Sequence, residues 1–493
     1  MLCGHDGIWV NSMQLLMVTR TSGLLASMFS LSLAVPVAVG LWYGEPVARE
    51  FLLPLLVTLS IGMFLWLPGR KKQSRISRKD GFLIVTLFWG LLSFMGAWPL
   101  FLSLDMSFLD ALFESASAFT TTGATVITGL DDLPRSVLFY RQQLQWMGGM
   151  GLIVLGIAVL PMLGIGGMQL YRAEAPGPMK EEKMTPRLAS TARALWLIYL
   201  SLTATCAFAY WVFGMEPFDA IAHSLSTVST GGFSTHDASL SWFHSSGIET
   251  VAIVFMLLAS LNFGVHYLAI YHKAPRQYWE DVEARSFLIL VLGLVILVGL
   301  MLRLEGNYHE LPPSLRDATF EVVSVITSTG FATVDFSHWP DFLPVLLIFI
   351  SFIGGCGGST AGGMKVIRVL MLAKQGMREV RKLIHPNAIL PVRLGHHVVD
   401  QRIMNAVWGF FAAYTVVFVV LMLLMIHAGL DQVSAFSAVA TCLNNLGPGL
   451  GVVASNFQDV SDMGKWISIL AMLLGRLEIF TILILLTPAF WKD

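Results

Sequence analysis

Apolar residues run along this chain in stretches of about twenty, the length an α-helix needs to cross ~30 Å of hydrocarbon at 1.5 Å per residue. The pattern predicts ten crossing helices, at 22–43, 51–68, 81–103, 140–165, 192–214, 249–271, 285–304, 342–372, 403–428 and 466–488. The fourth runs into "LPMLGIGGMQ" without a clear stop signal. The first has only Arg20 on its flank, after a longish polar lead, and reads as a retained helix rather than a cleaved signal peptide.

Between these runs lie shorter half-apolar segments that recur. They read "FLDALFESASAFTTTGATV" at 108–126, "PFDAIAHSLSTVSTGGFST" at 217–235, "LRDATFEVVSVITSTGFAT" at 315–333 and "LDQVSAFSAVATCLNNLGPGLG" at 430–451. The first and third share D-A-x-F-E-x-x-S-x-x-T-[TS]-T-G. The second keeps the start and end with one residue fewer between them, and the fourth diverges most. Each unit reads as crossing helix, short helix, glycine turn, crossing helix. Repetition at this scale decides the fold class. That class is an all-α polytopic membrane protein: ten transmembrane helices, with four fused helix–re-entrant segment–helix repeats after two N-terminal helices. The expected units are 1–79 (two helices and a basic loop), 80–190, 191–284, 285–401 and 402–493.

A segment of ten to twelve residues is too short to span a bilayer and suits a re-entrant helix. Asp110, Asp219, Asp317 and Asp431 open the four segments, where Asp is favoured as an N-cap. The C-terminal ends then aim partial negative charge toward a common axis, where a cation is stabilised. The [ST]-T-G ends supply its ligands. Backbone carbonyls replace the hydration shell of potassium in channel filters, and glycine permits the φ > 0 turn that directs successive carbonyls one way.

Charge fixes the orientation. Only 13% of the 493 residues are charged and the net charge is −1, so no global field argues for nucleic acid. Lys and Arg number six in 70–79, five in 171–193, three in 272–285 and eight in 365–402, while 215–248 has none. The positive-inside rule places the rich loops and both termini in the cytoplasm. Cys3, Cys206, Cys356 and Cys442 show no pairing pattern, and the twelve histidines no metal-binding spacing. No membrane segment arranges a nucleophile with a base, so an enzyme is not expected.

The segments "YRQQLQWMGGMGLIVLGIAVLPMLGIGGMQLYRAEAPGP", "GGFSTHDAS", "FIGGCGGSTAGGMKVIRVLMLAKQG", "LNNLGPGLGV" and "GRLEIFTILILLTPAFW" carry a resemblance. They are similar to the Trk/Ktr/HKT superfamily of potassium transporters, within it the bacterial TrkH/TrkG type, over nearly the whole chain. Residues 1–14 depart from it as a polar extension. The resemblance implies that the four repeats are helix–pore loop–helix units in pseudo-fourfold symmetry around one gated, channel-like potassium uptake pore in the bacterial inner membrane, with a homodimer embedded in membrane lipid and a cytosolic nucleotide-binding regulatory subunit of the TrkA type. Potassium is the cargo, and no cofactor is expected in this chain. By position the resemblance implies a filter of Thr121-Thr122-Gly123, Ser229-Thr230-Gly231, Ser328-Thr329-Gly330 and Asn445-Leu446-Gly447. Glycine rather than serine at residue 123 favours potassium over sodium.

Residues 354–365, "GGCGGSTAGGMK", break a crossing helix at its centre. Such a break must line water or protein. The resemblance makes it an intramembrane gate loop carrying Gly354, Gly355, Gly357, Gly358, Ser359, Thr360, Gly362 and Gly363; close helix packing through small residues is the other reading. Arg476 is the second oddity, because a charge at membrane depth is usually functional or paired. Glu478, two residues on, points elsewhere on a helix. The resemblance places Arg476 near the gate loop, where it repels cations or bonds loop carbonyls; a structural pair is the alternative. A secondary transporter coupling potassium to protons or sodium is the competing function. Such folds favour inverted repeats, whereas these four units all start on the same side.

Overall fold

The computed structural model describes residues 15–67, 78–158, 188–306, 308, 310–340, 342–395 and 397–492. The polar extension 1–14 and most of the first two basic loops, 70–79 and 171–193, lie outside the described residues. Among the described residues the regular structure is helical apart from one strand pair, Arg393–Leu394 antiparallel with His397–Val398. Helices α1 (Leu15–Ser32), α2 (Ala34–Tyr43) and α3 (Leu52–Trp66) come first. The helices after them fall in chain order into four units, each opening with a long helix and then a short one. Unit one is α4 (Arg78–Ser103), α5 (Phe108–Phe119) and α6 (Arg135–Ala158). Unit two is α7 (Leu188–Val212), α8 (Pro217–Val228), α9 (Ser246–Ser260) and α10 (Phe263–Tyr271). Unit three is α11 (Val282–Leu304), α12 (Leu311–Ile326), α13 (Phe342–Ser351) and α14 (Val366–Ile384). Unit four is α15 (Gln401–His427), α16 (Gln432–Asn444), α17 (Asp462–Arg476) and α18 (Phe480–Leu485).

Six helices among the described residues are long and apolar enough to cross a membrane, or seven with α9 and α10 counted as one span. Three expected crossings are not continuous helices. The run 249–271 bends by 96° between α9 and α10, where the Asn262 side chain caps the new helix by accepting from Gly264 N–H at 2.7 Å. The run 342–372 opens into the glycine-rich loop. The run 466–488 breaks after Arg476, where Glu478 and Ile479 both adopt φ 53°. The backbone turn there is fixed by an ion pair, Glu478 to the buried Arg368 at 2.6 Å.

The apolar core divides between the units. One cluster joins the N-terminal helices with units one and four, including Phe29, Trp89, Phe113, Tyr140, Phe410 and Met472. A second joins units two and three, including Tyr199, Phe263, Phe287, Val323 and Leu347. The four short helices α5, α8, α12 and α16 sit where the clusters meet. Their entries correct the expected caps. Only Asp431 is an N-cap, accepting from Val433 N–H and Ser434 N–H. Ser107 caps α5, and Asp110 sits three residues on, accepting from the Ser107 hydroxyl at 2.8 Å. Asp219 stands likewise inside the first turn of α8. Helix α12 starts a turn earlier than its pattern suggests, leaving Asp317 inside it to accept from Tyr308 at 2.6 Å. A carboxylate in the first turn meets the free amides and the dipole whether or not it is the cap, as Asp110 and Asp219 do; Asp317, seventh in its helix, lies beyond them.

Side chains on the short helices tie down the extended chain beyond each turn. Glu114 accepts from Val126 N–H at 3.1 Å, and Glu321 from Thr333 N–H at 2.9 Å. His223 stands at the corresponding place and bonds the Ser234 hydroxyl at 2.9 Å. Glu114 also pairs with Arg141 at 2.7 Å, both groups being fully buried. Removing one partner of a buried pair leaves an uncompensated charge. Glu114→Gln is therefore expected to cost about 3–5 kcal/mol. The check is thermal unfolding in detergent, where the Glu114→Gln/Arg141→Met double variant should melt above the Glu114→Gln single.

Candidate functional site

All four short helices end in the same way. Each passes into one residue in the left-handed region: Thr121 (φ 56°), Thr230 (φ 53°), Ser328 (φ 51°) and Asn445 (φ 54°). In the first, Thr121 N–H donates to Ala118 O at 3.0 Å and Thr122 N–H to Ser117 O at 2.8 Å. The same two bonds close the others: Thr230 to Thr227 and Gly231 to Ser226, Ser328 to Val325 and Thr329 to Ser324, Asn445 to Cys442 and Leu446 to Thr441. These are Schellman caps, in which Gly or Asn is usual at the left-handed place. Thr and Ser hold three of the four, and such strain persists only where the surroundings over-determine it. All four residues are buried.

Two residues beyond each comes a second turn at a glycine: Gly123 (φ 81°), Gly232 (φ 79°), Gly330 (φ 82°) and Gly447 (φ 97°). This corrects the expected match in unit two by one residue. Gly232, not Gly231, is the backbone equivalent of Gly123; Gly231 corresponds to Thr122, and Ser229 to Thr120. In this register eleven residues separate Asp110 from Thr121, Asp219 from Thr230 and Asp317 from Ser328, so the missing residue inferred from the sequence disappears.

The glycines show how the turns meet. A Cβ on Gly123 would fall 2.3 Å from Gly231 O, and one on Gly232 1.9 Å from Thr329 O. On Gly330 it would fall 2.1 Å from Leu446 O, and on Gly447 2.8 Å from Thr122 O. The contacts run from unit one to two, two to three, three to four, and four back to one. The turns close into a ring in which each corner glycine receives the carbonyl of its neighbour. All four corner glycines open on one cavity of ≈ 400 Å³. Helix α6 braces the ring with a residue not singled out from the sequence. Gln145 Nε2 donates to Gly231 O at 2.6 Å, and its Oε1 accepts from Ser226 Oγ at 2.6 Å and Phe233 N–H at 3.1 Å. Asn445 joins the last unit to the first, its Nδ2 donating to Thr122 Oγ1 at 2.9 Å.

The glycine-rich loop lies against the C-terminal ends of the short helices. Gly363 N–H donates to Asn444 O at 3.1 Å, and Thr360 Oγ1 to Val228 O at 3.2 Å. The loop folds on itself, since a Cβ on Gly354 would lie 2.2 Å from Gly362 O. Ser359 Oγ donates to Cys356 O at 2.6 Å, Gly355 O accepts from Val366 N–H at 3.0 Å, and Gly358 O accepts from Phe263 N–H at 3.1 Å, at the bend of unit two. Arg476 is buried beside the loop. Its Nη1 donates to Thr360 O at 3.0 Å and its Nη2 to Gly148 O of α6 at 3.1 Å, with the guanidinium 5.3 Å from the Trp89 ring. Arg476 makes no ion pair among the described residues. The carboxylate two positions on, Glu478, serves Arg368 instead. Glu283, buried at the start of α11, accepts from Gly357 N–H at 2.7 Å and Ile367 N–H at 3.2 Å, clasping both ends of the loop. Glu283, Gln145 and Asn444 escaped the sequence reading, although an ionisable or amide side chain at membrane depth is itself the signal.

Comparison with known proteins follows the same outline. A family model described as "TrkH: Cation transport protein" matches residues 48–492. The chain is 53% identical over 486 residues to the Trk system potassium uptake protein TrkH of Vibrio parahaemolyticus, covering 98% of this chain and all of that one. It is 50% identical over 478 residues to TrkH of Escherichia coli K12, covering 97% and 99% of the two chains. It is 42% identical over 486 residues to TrkG of the same organism, covering 98% and 100%. The crystal structure of the potassium transporter TrkH from Vibrio parahaemolyticus superposes with a TM-score of 0.91 at 50% identity, covering 97% of this chain and all of that one.

The register correction yields a prediction. At Gly232 a Cβ meets the rigid Thr329 carbonyl and a positive φ, whereas at Gly231 it meets only the Gln145 side chain. Gly232→Ala is expected to disrupt the ring as severely as Gly123→Ala, and Gly231→Ala less so. Discrimination of potassium over sodium by the three purified variants in liposomes tests the order; a greater loss in Gly231→Ala reverses it.

Proposed function

The chain belongs to the TrkH family of cation transport proteins, and we propose that it takes up potassium through a selective, gated, channel-like pore along the ring's axis. It is a transport protein of the membrane rather than an enzyme. The observation that supports a pore is the cyclic closure of four equivalent turns, each offering a carbonyl at one level. A potassium ion needs several oxygen ligands to leave water, and the C-terminal ends of α5, α8, α12 and α16 add favourable dipoles below them. On this reading the filter comprises Thr121-Thr122-Gly123, Thr230-Gly231-Gly232, Ser328-Thr329-Gly330 and Asn445-Leu446-Gly447. Each of the four units with its two crossings is one repeat of the pore, and ten crossings leave both termini in the cytoplasm of a bacterial inner membrane. The parallel order of the four units favours a continuous path over the alternating access of inverted repeats.

In this reading the loop 354–365 is the gate. It lies across the inner end of the ring, held by Arg476 to Thr360 O and to α6, and by Glu283. A homodimer and a cytosolic nucleotide-binding regulator of the TrkA type complete the proposal. The regulator has a route to the gate through α14, which leaves the loop and carries Arg378, Arg381 and Lys382. Arg378 is engaged by Glu379 at 3.0 Å and by Gln401 at 3.2 Å, and Lys382 pairs with Glu379 at 3.7 Å, so Arg381 is the cleaner docking candidate, with Lys382 beside it.

Two expectations test this reading. Arg476→Ala, or deletion of Ser359–Gly363, removes charge-assisted bonds of roughly 1.5–3 kcal/mol and should raise rubidium uptake about tenfold or more in liposomes without any regulator. Folded variants that conduct no faster than the parent make the loop a packing element instead. Charge reversal at Arg381 and Lys382 should abolish co-purification with the regulator while leaving ion selectivity intact; retention at normal yield removes this docking site.

A further inference from the structure

The loop and the ring are bonded directly to each other. Gly362 N–H donates to the hydroxyl of Ser328, and the next amide, Gly363 N–H, donates to Asn444 O at 3.1 Å. Ser328 is the left-handed residue of the third turn, and Asn444 immediately precedes that of the fourth. Contact is tight here, because a Cβ on Gly362 would lie 2.1 Å from Asn444 O. The other left-handed residues direct their side chains elsewhere. Thr230 Oγ1 donates to Ser229 O at 2.7 Å, Asn445 bonds Thr122 and Met472, and the buried Thr121 hydroxyl has no hydrogen-bond partner among the described residues. Ser328 alone among the four reaches the loop.

This placement matters because the next peptide carries the carbonyl of Thr329, which abuts Gly232 in the ring. The direction of that carbonyl follows from the torsions of Ser328 and Thr329. A serine at φ 51° holds that conformation only where its surroundings over-determine it, and the loop amide is part of those surroundings. Asn444 is held in the same way from three sides, by Gly363, by Tyr414 and by Ser351. When the loop moves aside, Ser328 Oγ and Asn444 O lose their donors together.

We propose that Ser328 is a positioning residue that couples the loop to the ring, so that ion discrimination depends on whether the loop is seated. This rests on reading the ring as the filter and the loop as the gate. Coupling free energies are reciprocal, so an ion held in the ring also biases the loop.

A two-by-two comparison in detergent tests it, measuring apparent binding constants for potassium and for sodium, from ion-dependent thermal stabilisation, in the parent, Ser328→Ala, deletion of Ser359–Gly363, and the combination. With the loop present, Ser328→Ala should lower the potassium-to-sodium ratio about two- to tenfold, the range one hydrogen bond covers. In the deleted background the same substitution should change nothing, and Ser328→Thr, which keeps the hydroxyl, should restore the parent ratio. An equal effect in both backgrounds overturns the proposal, since Ser328 would then act on the ring alone. So does an unchanged ratio of the two constants in Ser328→Ala, which marks a latch without coupling. If no variant discriminates potassium from sodium, the filter reading itself fails. Should Ser328→Ala not yield monodisperse protein, Ser328→Gly, which suits φ > 0 and likewise removes the hydroxyl, carries the same expectation.

Discussion

Backbone amides and carbonyls that leave a helix inside a membrane have no water to satisfy them, and this fold is arranged around that constraint. Each unsatisfied group costs several kcal/mol in hydrocarbon. The chain nevertheless leaves helical geometry at the ends of four short helices and at three inner breaks. At each place the stranded groups find one another. Schellman caps recover the last amides of α5, α8, α12 and α16. Glu114, Glu321 and Gln145 receive the amides beyond the turns, and Glu283 receives two amides of the loop. The carbonyls at the ring meet one another's glycines, and among them Gly231 O also accepts from Gln145 Nε2.

The glycines follow from that ring rather than from flexibility. Gly123, Gly232 and Gly330 each stand within 2.3 Å, measured from an added Cβ, of a neighbouring carbonyl oxygen. A side chain there would push apart two units and not merely strain one turn. This also explains how unit four, with Asn445-Leu446 in place of the Ser/Thr pairs, fits the same ring. What the neighbours meet is the Leu446 carbonyl and the Gly447 backbone, and neither depends on the side chain. Asn445 adds a bond to Thr122 that closes the circle between the last unit and the first.

The element order was legible because hydrophobic run length and the repeated motif are both strong signals, although among the described residues six or seven helices are long and apolar enough to span a membrane, and the end of the fourth run, 159–165, lies outside them. The breaks were less legible. A run such as 466–488 reads as one span because nothing local marks Leu477–Ile479 as a turn; its cause is tertiary, the pull of Arg368 on Glu478. The same holds for the unit-two register. Aligning on "TG" uses the side chains, while the backbone turn is set by counting from the start of the short helix, where "STGG" offers two glycines and only the second has φ > 0. Arg476 and the glycine-rich loop stood out from the sequence because charge and glycine are rare at that depth. Glu283 did not, because at the edge of a crossing it looks like an ordinary interfacial carboxylate.

The loop occupies the region toward which the four helix C-termini point. Those ends carry partial negative charge, and in this structure their neighbours are donors: the amides of Gly362 and Gly363, the Thr360 hydroxyl and, one step removed, the Arg476 guanidinium. A cation below the ring would be drawn by the same dipoles. On the proposed gate reading, the loop donors and a cation compete for the Asn444 and Val228 carbonyls, and a seated loop stands electrostatically where the ion would. A purely steric plug could be built from any bulky apolar segment. A plug made of glycine amides and one arginine gives up its bonds at the moment an ion can replace them, so the barrier to opening falls as the ion arrives.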